Sequence, residues 1–138
     1  MNKRVCAFDF DGTLIKKDSI KLFCKWVCVS KMEYFITYHV YFRLLQLLGE
    51  KNLKFRRVNY FHALWIKRNL NIRDFTQLLL NEEFLDSPSL IRNMKKEHHV
   101  VIVSASFDFM LEGYAEYYGI RCHANSLNSI TDLNFSNK

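Results

Sequence analysis

The sequence predicts an α/β fold, a parallel sheet with a large helical insertion after its first strand. Three observations lead there. Two short apolar runs, residues 5–8 and 100–103, each end at polar residues, as buried strands feeding turns do. Between them the hydrophobic pattern is helical from Asp18 to about His98. Charge divides the chain along similar lines. From Lys16 to Arg73 there are thirteen Lys or Arg against three acids, while the remaining positions hold seven basic and eleven acidic residues. Eleven of the 21 aromatics fall in the same basic stretch, so the chain reads as an acidic frame around a basic, aromatic insert.

The first strand, residues 5–8, runs into Asp9-Phe10-Asp11-Gly12-Thr13. Helices are expected over 19–30, 32–48, 52–65, 72–84 and 89–97. Asp18 or Ser19 is placed to cap the first, Gly49 to end the second, and Ser87 to cap the last with Pro88 at its first position. The second strand, 100–103, ends at Ser104. A helix over 107–118 follows, with Gly119 placed to terminate it. A third strand is expected over 120–123 and a weak hairpin over 127–137. The expected division is a sheet core of residues 1–15 and 99–138 and a helical insert of residues 16–98.

Composition narrows the class. Nearly half of the 138 residues are apolar and Pro occurs once, which excludes disorder and low complexity. Cys6, Cys24, Cys28 and Cys122 form no CxxC pair and no zinc spacing, and read as reduced thiols. The basic start meets Asp9 and Asp11 too soon for a signal peptide. The apolar stretch 34–48 contains His39 and Arg43 and falls short of the ~18 apolar residues a spanning helix needs. A cytoplasmic protein is expected.

The strongest chemical signal is the Asp9–Thr13 pentapeptide. Residues two apart in a strand share a side, so the carboxylates of Asp9 and Asp11 can face one site beyond the carboxyl end of the strand. Two carboxylates at a phosphate site repel the substrate unless a hard divalent cation neutralises them. One can then attack phosphorus while the other shuttles a proton. Gly12 lets the backbone come close, and freed amides of the turn at Gly12 and Thr13 can hold phosphoryl oxygens. A calcium loop fits less well, because Thr13 and Ile20 stand where it needs an acidic residue and a closing Glu. A simple turn is the other plain reading.

Residues 8–14, Phe-Asp-Phe-Asp-Gly-Thr-Leu, resemble the first motif of the haloacid dehalogenase-like hydrolases. The apolar strand ending in Ser104-Ala105-Ser106 resembles the second. A helical insertion between them is similar to the first-type cap of the phosphoserine phosphatase-like subfamily, on a Rossmann-like core. The resemblance implies that Asp9 is the phosphorylated nucleophile and a Mg2+ ligand. It implies that Asp11 is general acid and then base, its carbonyl a second ligand, and that Ser104 and the amide of Ala105 hold the phosphoryl group. The family also carries a third-motif Lys and a fourth-motif acidic run, which these 138 residues lack. Their absence is expected to leave the first strand with an unpaired apolar edge.

The basic insert, with Lys51, Lys54, Arg56, Arg57, Lys67 and Arg68, reads first as a solvated face. Its functional readings are an anionic substrate or peripheral contact with an anionic membrane. No nucleic-acid recognition module is visible. The helix over 32–48 is apolar almost all round and is expected to be a buried centre of the insert rather than membrane-facing. The function implied is magnesium-dependent hydrolysis of a phosphomonoester, the substrate a small phosphorylated metabolite or a phospholipid head group. The alternative is an inactive fragment that binds phosphorylated ligands or an anionic surface without turnover.

Overall fold

The computed structural model describes residues 3–127. The expected hairpin over 127–137 lies outside them apart from Leu127. The described residues form two compact units, one holding residues 3–19 and Ile72–Ser126, the other Ile20–Asn71 and Leu127.

The first unit is built on a three-stranded parallel sheet, β1 (Arg4–Phe8), β2 (His98–Phe107) and β3 (Arg121–Asn125), in the order β1-β2-β3. Cys6 pairs with Val100 and Phe8 with Ile102, and Ile102 in turn pairs with Cys122. The α/β class with a parallel sheet is therefore observed. Numbering the helices along the chain, α5 (Ile72–Asn81), α6 (Ser87–Lys95) and α7 (Asp108–Tyr118) pack in this unit, α5 on α7 and α6 on β2. Residues 72–98, expected within the insert, thus belong with the sheet. The reason is their apolar face, since Phe75, Leu79 and Ile91 are fully buried. Asp86, one residue earlier than expected, caps α6 by position, and Pro88 sits in its first turn. Gly119 ends α7 in the left-handed conformation at φ 64°.

The sheet has unequal faces. Val100 and Ile102 are buried, but the alternate residues Val5 and Val103 are 67% and 50% exposed and line an open concavity of 690 Å³ with Ala7, Val101 and His123. The expectation of a buried first strand is corrected accordingly. Among the described residues β1 pairs only with β2, so one edge and one face lie uncovered. The second strand also runs past Ser104 to Phe107. Its pairing with β3 shifts register after Val103 and resumes at Phe107 with Asn125.

The second unit is helical. It comprises α1 (Ser19–Val27, from Ile20 on), α2 (Lys31–Tyr34), a π-helical segment (Phe35–Tyr41), α3 (Phe42–Leu47) and α4 (Leu53–Arg68). Its centre holds Phe23, Val27, Tyr38, Phe42, Val58 and Phe61. The Arg57 guanidinium lies over the rings of Tyr38 and Phe42, 4.1 and 5.1 Å from their centroids. Ser30 caps α2 by accepting the Glu33 amide at 3.1 Å. Gly49 closes the long run at φ 80°. The helix expected to be central is buried on one side alone. Met32, Phe35, Ile36, Leu44, Leu47 and Leu48 are all exposed.

Candidate active site

β1 ends at Phe8, and the next three residues leave the sheet around an anchored ring. Phe10 is fully buried, edge-on to Tyr114 at 4.9 Å between centroids. Its carbonyl accepts the amides of Thr13, Leu14 and Ile15 at 3.2, 2.9 and 3.3 Å, and the Gly12 amide donates to the Ile15 carbonyl at 2.9 Å. A turn this tight carries a positive φ, 78° at Gly12, which glycine adopts without a Cβ penalty. Nothing lies within 4 Å of a Cβ built there, so the backbone conformation, and not a close neighbour, calls for glycine. With Phe10 held inside, Asp9 is exposed and Asp11 half-buried.

The two carboxylates are treated differently by their surroundings. Asp9 Oδ1 accepts the Phe10 amide at 2.8 Å. Asp11 is gripped by Ser19, whose amide donates to Oδ1 at 3.0 Å and whose hydroxyl lies 3.2 Å from Oδ2. Ser19 is itself fully buried, and its Oγ is 2.8 Å from Ser106 Oγ. Ser106 Oγ donates in turn to Met110 Sδ at 3.6 Å, so the single Ser19 hydroxyl proton serves either Asp11 or Ser106 at one time. Burial pushes the Asp11 carboxyl above its ordinary range, and the negative charges of Asp18 and Asp9 push the same way against the two bonds from Ser19.

Ser104 sits on β2, half-buried, with its Oγ accepting the Ser106 amide at 3.0 Å. Ala105 is exposed, and its carbonyl accepts Asn125 Nδ2 at 2.9 Å. One expectation needs correcting. The amides of Gly12 and Thr13 are not freed by the turn but spent inside it, on the carbonyls of Ile15 and Phe10. Thr13 is exposed, and a hydroxyl is what its side chain offers. Ser19 and Ser106 were missed as site residues. Ser19 reads in sequence as a helix cap, and Ser106 lies 87 positions away. The alternation Ser104-Ala105-Ser106 at a strand end is the signal that could have marked the second hydroxyl.

The donor chemistry fits a hard cation. Among the described residues neither Asp9 nor Asp11 forms an ion pair, and the charges of Asp18 and Asp9 both bear on Asp11. No group of three or more His, Cys, Asp or Glu among the described residues is placed to cage a metal. A small divalent ion that keeps several waters and binds through one or two carboxylates suits such a site.

A sequence model of the haloacid dehalogenase-like hydrolases matches residues 6–136, from within β1 to almost the last residue. The chain belongs to that family. This haloacid dehalogenase-like protein also resembles solved structures in fold. A protein of unknown function from Bordetella pertussis Tohama I superposes with a TM-score of 0.67 at 15% identity, over 91% of this chain and 61% of that one. A phosphoserine phosphohydrolase-like protein from Francisella tularensis subsp. tularensis SCHU S4 gives 0.54 at 23%, over 89% and 58%. A phosphoserine phosphatase, solved as a phospho-aspartyl intermediate analogue, gives 0.51 at 19%, over 91% and 57%. The likeness is one of Rossmann-like fold, and the chain spans about three fifths of each of these proteins. No curated protein is significantly similar to it in sequence.

Proposed function

We propose that this haloacid dehalogenase-like protein carries the nucleophile-bearing part of a phosphomonoester hydrolase of the phosphoserine phosphatase-like kind. The observation that carries the reading is the unequal pair of carboxylates after β1, with Asp9 exposed and Asp11 half-buried, hydrogen-bonded to Ser19 and shifted toward its protonated form. A carboxyl whose protonated form is favoured suits proton donation to a leaving alcohol, and an exposed carboxylate beside it can reach phosphorus. An Asp9 oxygen forms the bond to phosphorus while the bond to the leaving oxygen breaks, and Asp11 passes its proton to that oxygen. Water then attacks the aspartyl phosphate, Asp11 takes the water's proton, and phosphate departs as the Asp9 carboxylate is regenerated. Ser104 and Thr13 contribute hydroxyls, and the Ala105 amide an N–H, to the phosphoryl oxygens.

Asp9 and the Asp11 carbonyl would hold Mg2+, which when bound supplies charge neutralisation between the carboxylates and the phosphoryl group. The helical unit would be the cap, and the substrate a small phosphorylated metabolite or a phospholipid head group. We place the protein in the cytoplasm; among the described residues no helix is long and apolar enough to cross a membrane. The second reading, binding without turnover, is favoured by one observation. Among the described residues the two carboxylates have no third acidic, His or Cys partner to hold a metal with them.

The deciding experiment measures magnesium-dependent hydrolysis of 4-nitrophenyl phosphate by the chain and by its Asp9→Asn variant. Turnover should be abolished in the variant, and a beryllofluoride adduct should form on Asp9 of the parent. Most of the turnover surviving in the variant would remove Asp9 from the mechanism. Binding of phosphate without turnover in the parent would establish the second reading.

A further inference from the structure

The helical unit presents an apolar surface that its own core does not use. Tyr38 and Phe42 face inward and are buried, whereas Met32, Ile36, Val40, Leu44 and Leu47 recur every three or four residues and are exposed, from 41% at Val40 to 73% at Leu47. They form one stripe along α2, the π-helical segment and α3. Phe35 and Tyr41 widen it and are about half exposed. Fifteen residues separate its ends, which is roughly 20 Å of helix. A contiguous apolar stripe of this length is uncommon on a surface that meets only water.

Charge selects what covers it. Residues 20–71 hold ten Lys or Arg and two acids, a net +8. Both acids are already engaged, Glu33 by Arg68 at 2.6 Å and Glu50 by Arg56 at 3.0 Å. Lys31 and Arg43 lie on the same run of helix as the stripe, and Lys51 follows it; all three are exposed. Arg56 and Arg57 of the basic insert are occupied, Arg56 with Glu50 and Arg57 with the rings of Tyr38 and Phe42. A second copy meeting the first through this same face would set one helical unit of net +8 against another, which opposes self-association there.

We infer that the exposed face of Lys31–Leu47 docks in the interface of a bilayer rich in anionic lipid. The stripe would enter the boundary between headgroups and acyl chains, with Phe35 and Tyr41 at that level and Lys31, Arg43 and Lys51 toward the phosphates. The run is too short to span and lies in the plane of the surface. The inference does not rest on the proposed phosphatase chemistry and survives if turnover is absent.

Flotation of the full chain with phosphatidylcholine vesicles, and with vesicles containing phosphatidylglycerol as well, tests it. Binding should be at least ~tenfold tighter to the anionic vesicles and should fall with added salt. Arg43→Gln should weaken it about fivefold, and Ile36→Glu with Leu44→Glu by more than ~tenfold. Leu85→Glu, at a residue of the other unit that is 94% exposed, should change nothing. Should the double Glu variant fail to fold, Leu44→Ser with Leu47→Ser gives the same comparison at smaller amplitude. Equal binding to both vesicles, wild-type binding by the stripe variants, or a salt-resistant self-association that those variants abolish would each overturn the inference.

Discussion

Ser19 holds the Asp11 carboxylate at two points, by its amide at 3.0 Å and by its hydroxyl at 3.2 Å, although the two residues stand on opposite sides of a turn. Ser19 opens α1 and Asp11 follows the anchored Phe10, so the contact fixes the orientation of the acid relative to β1. Ser19→Ala keeps the amide bond and deletes the hydroxyl. A hydrogen bond to a charged group is worth about 1.5–3 kcal/mol, so turnover should fall roughly tenfold or more. The lost bond had favoured the ionised form, so the limb of the pH–rate profile that reports Asp11 should move to higher pH. Unchanged turnover with an unchanged profile would make Ser19 a mere cap.

Asp11 itself should separate chemistry from stability. Asp11→Asn deletes the proton carrier, and a positioned acid or base contributes ~10²–10⁴-fold. Its main-chain carbonyl survives, so magnesium affinity should fall far less than turnover. The folded state holds this carboxyl above its ordinary value, chiefly through burial. Its contribution to stability is therefore present in full below the unfolded value and lost as pH rises through the folded one. The variant should melt higher than the parent at neutral pH, and the two should converge in acid. Scanning calorimetry at several pH values reads this directly; a variant less stable at neutral pH contradicts it.

Much of this arrangement is legible in the sequence because it is local. An apolar run ending in Asp-x-Asp-Gly forces a strand and a turn, and Gly49 and Gly119 stop helices for the backbone reason that makes them readable. What could not be read is long-range. The bond between Ser19 and Ser106 depends on how the sheet brings distant segments together. Hydrophobic pattern says which residues can be buried, not which face finds a partner, so Val5 and the outer side of 32–48 were expected inside and lie outside. For the same reason the pattern places α5 and α6 in the insert, whereas Phe75, Leu79 and Ile91 bury with the sheet unit. The extension of β2 to Phe107 was hidden by Ser-Ala-Ser, which has weak strand propensity and is held by a shifted register.

Close packing between α5 and α7 gives a stability prediction. A Cβ added at Gly113 would overlap Thr76 Oγ1 and stand 3.2 Å from Thr76 Cβ. Alanine is the better helix former by about 1 kcal/mol, but overpacking costs about 1–3 kcal/mol, so Gly113→Ala should destabilise. Adding Thr76→Ala removes the overlapping atom and should restore most of the loss. Urea midpoints for the two single variants and the double variant measure the coupling. Additive losses would show that the helices do not meet there.

The ion pair of Glu33 and Arg68 closes the helical unit, and its pH dependence has the opposite sign to that of Asp11. Arg68 Nη1 donates to the Val27 carbonyl at 2.8 Å and meets Glu33 Oε1 at 2.6 Å, with both side chains about a quarter exposed. The hydrogen bond from Arg68 holds the Glu33 carboxyl below its ordinary value. That stability is present above the unfolded value and is lost as pH falls through the folded one. Glu33→Gln should therefore cost about 0.5–1 kcal/mol at neutral pH, the range for partly solvated pairs, and almost nothing in strong acid. The Ser30 cap uses the Glu33 amide and survives the substitution, so lost helix capping cannot supply the difference. Chemical denaturation at neutral and acidic pH makes the comparison. A deficit that persists undiminished in acid would assign the loss to packing and not to the charge.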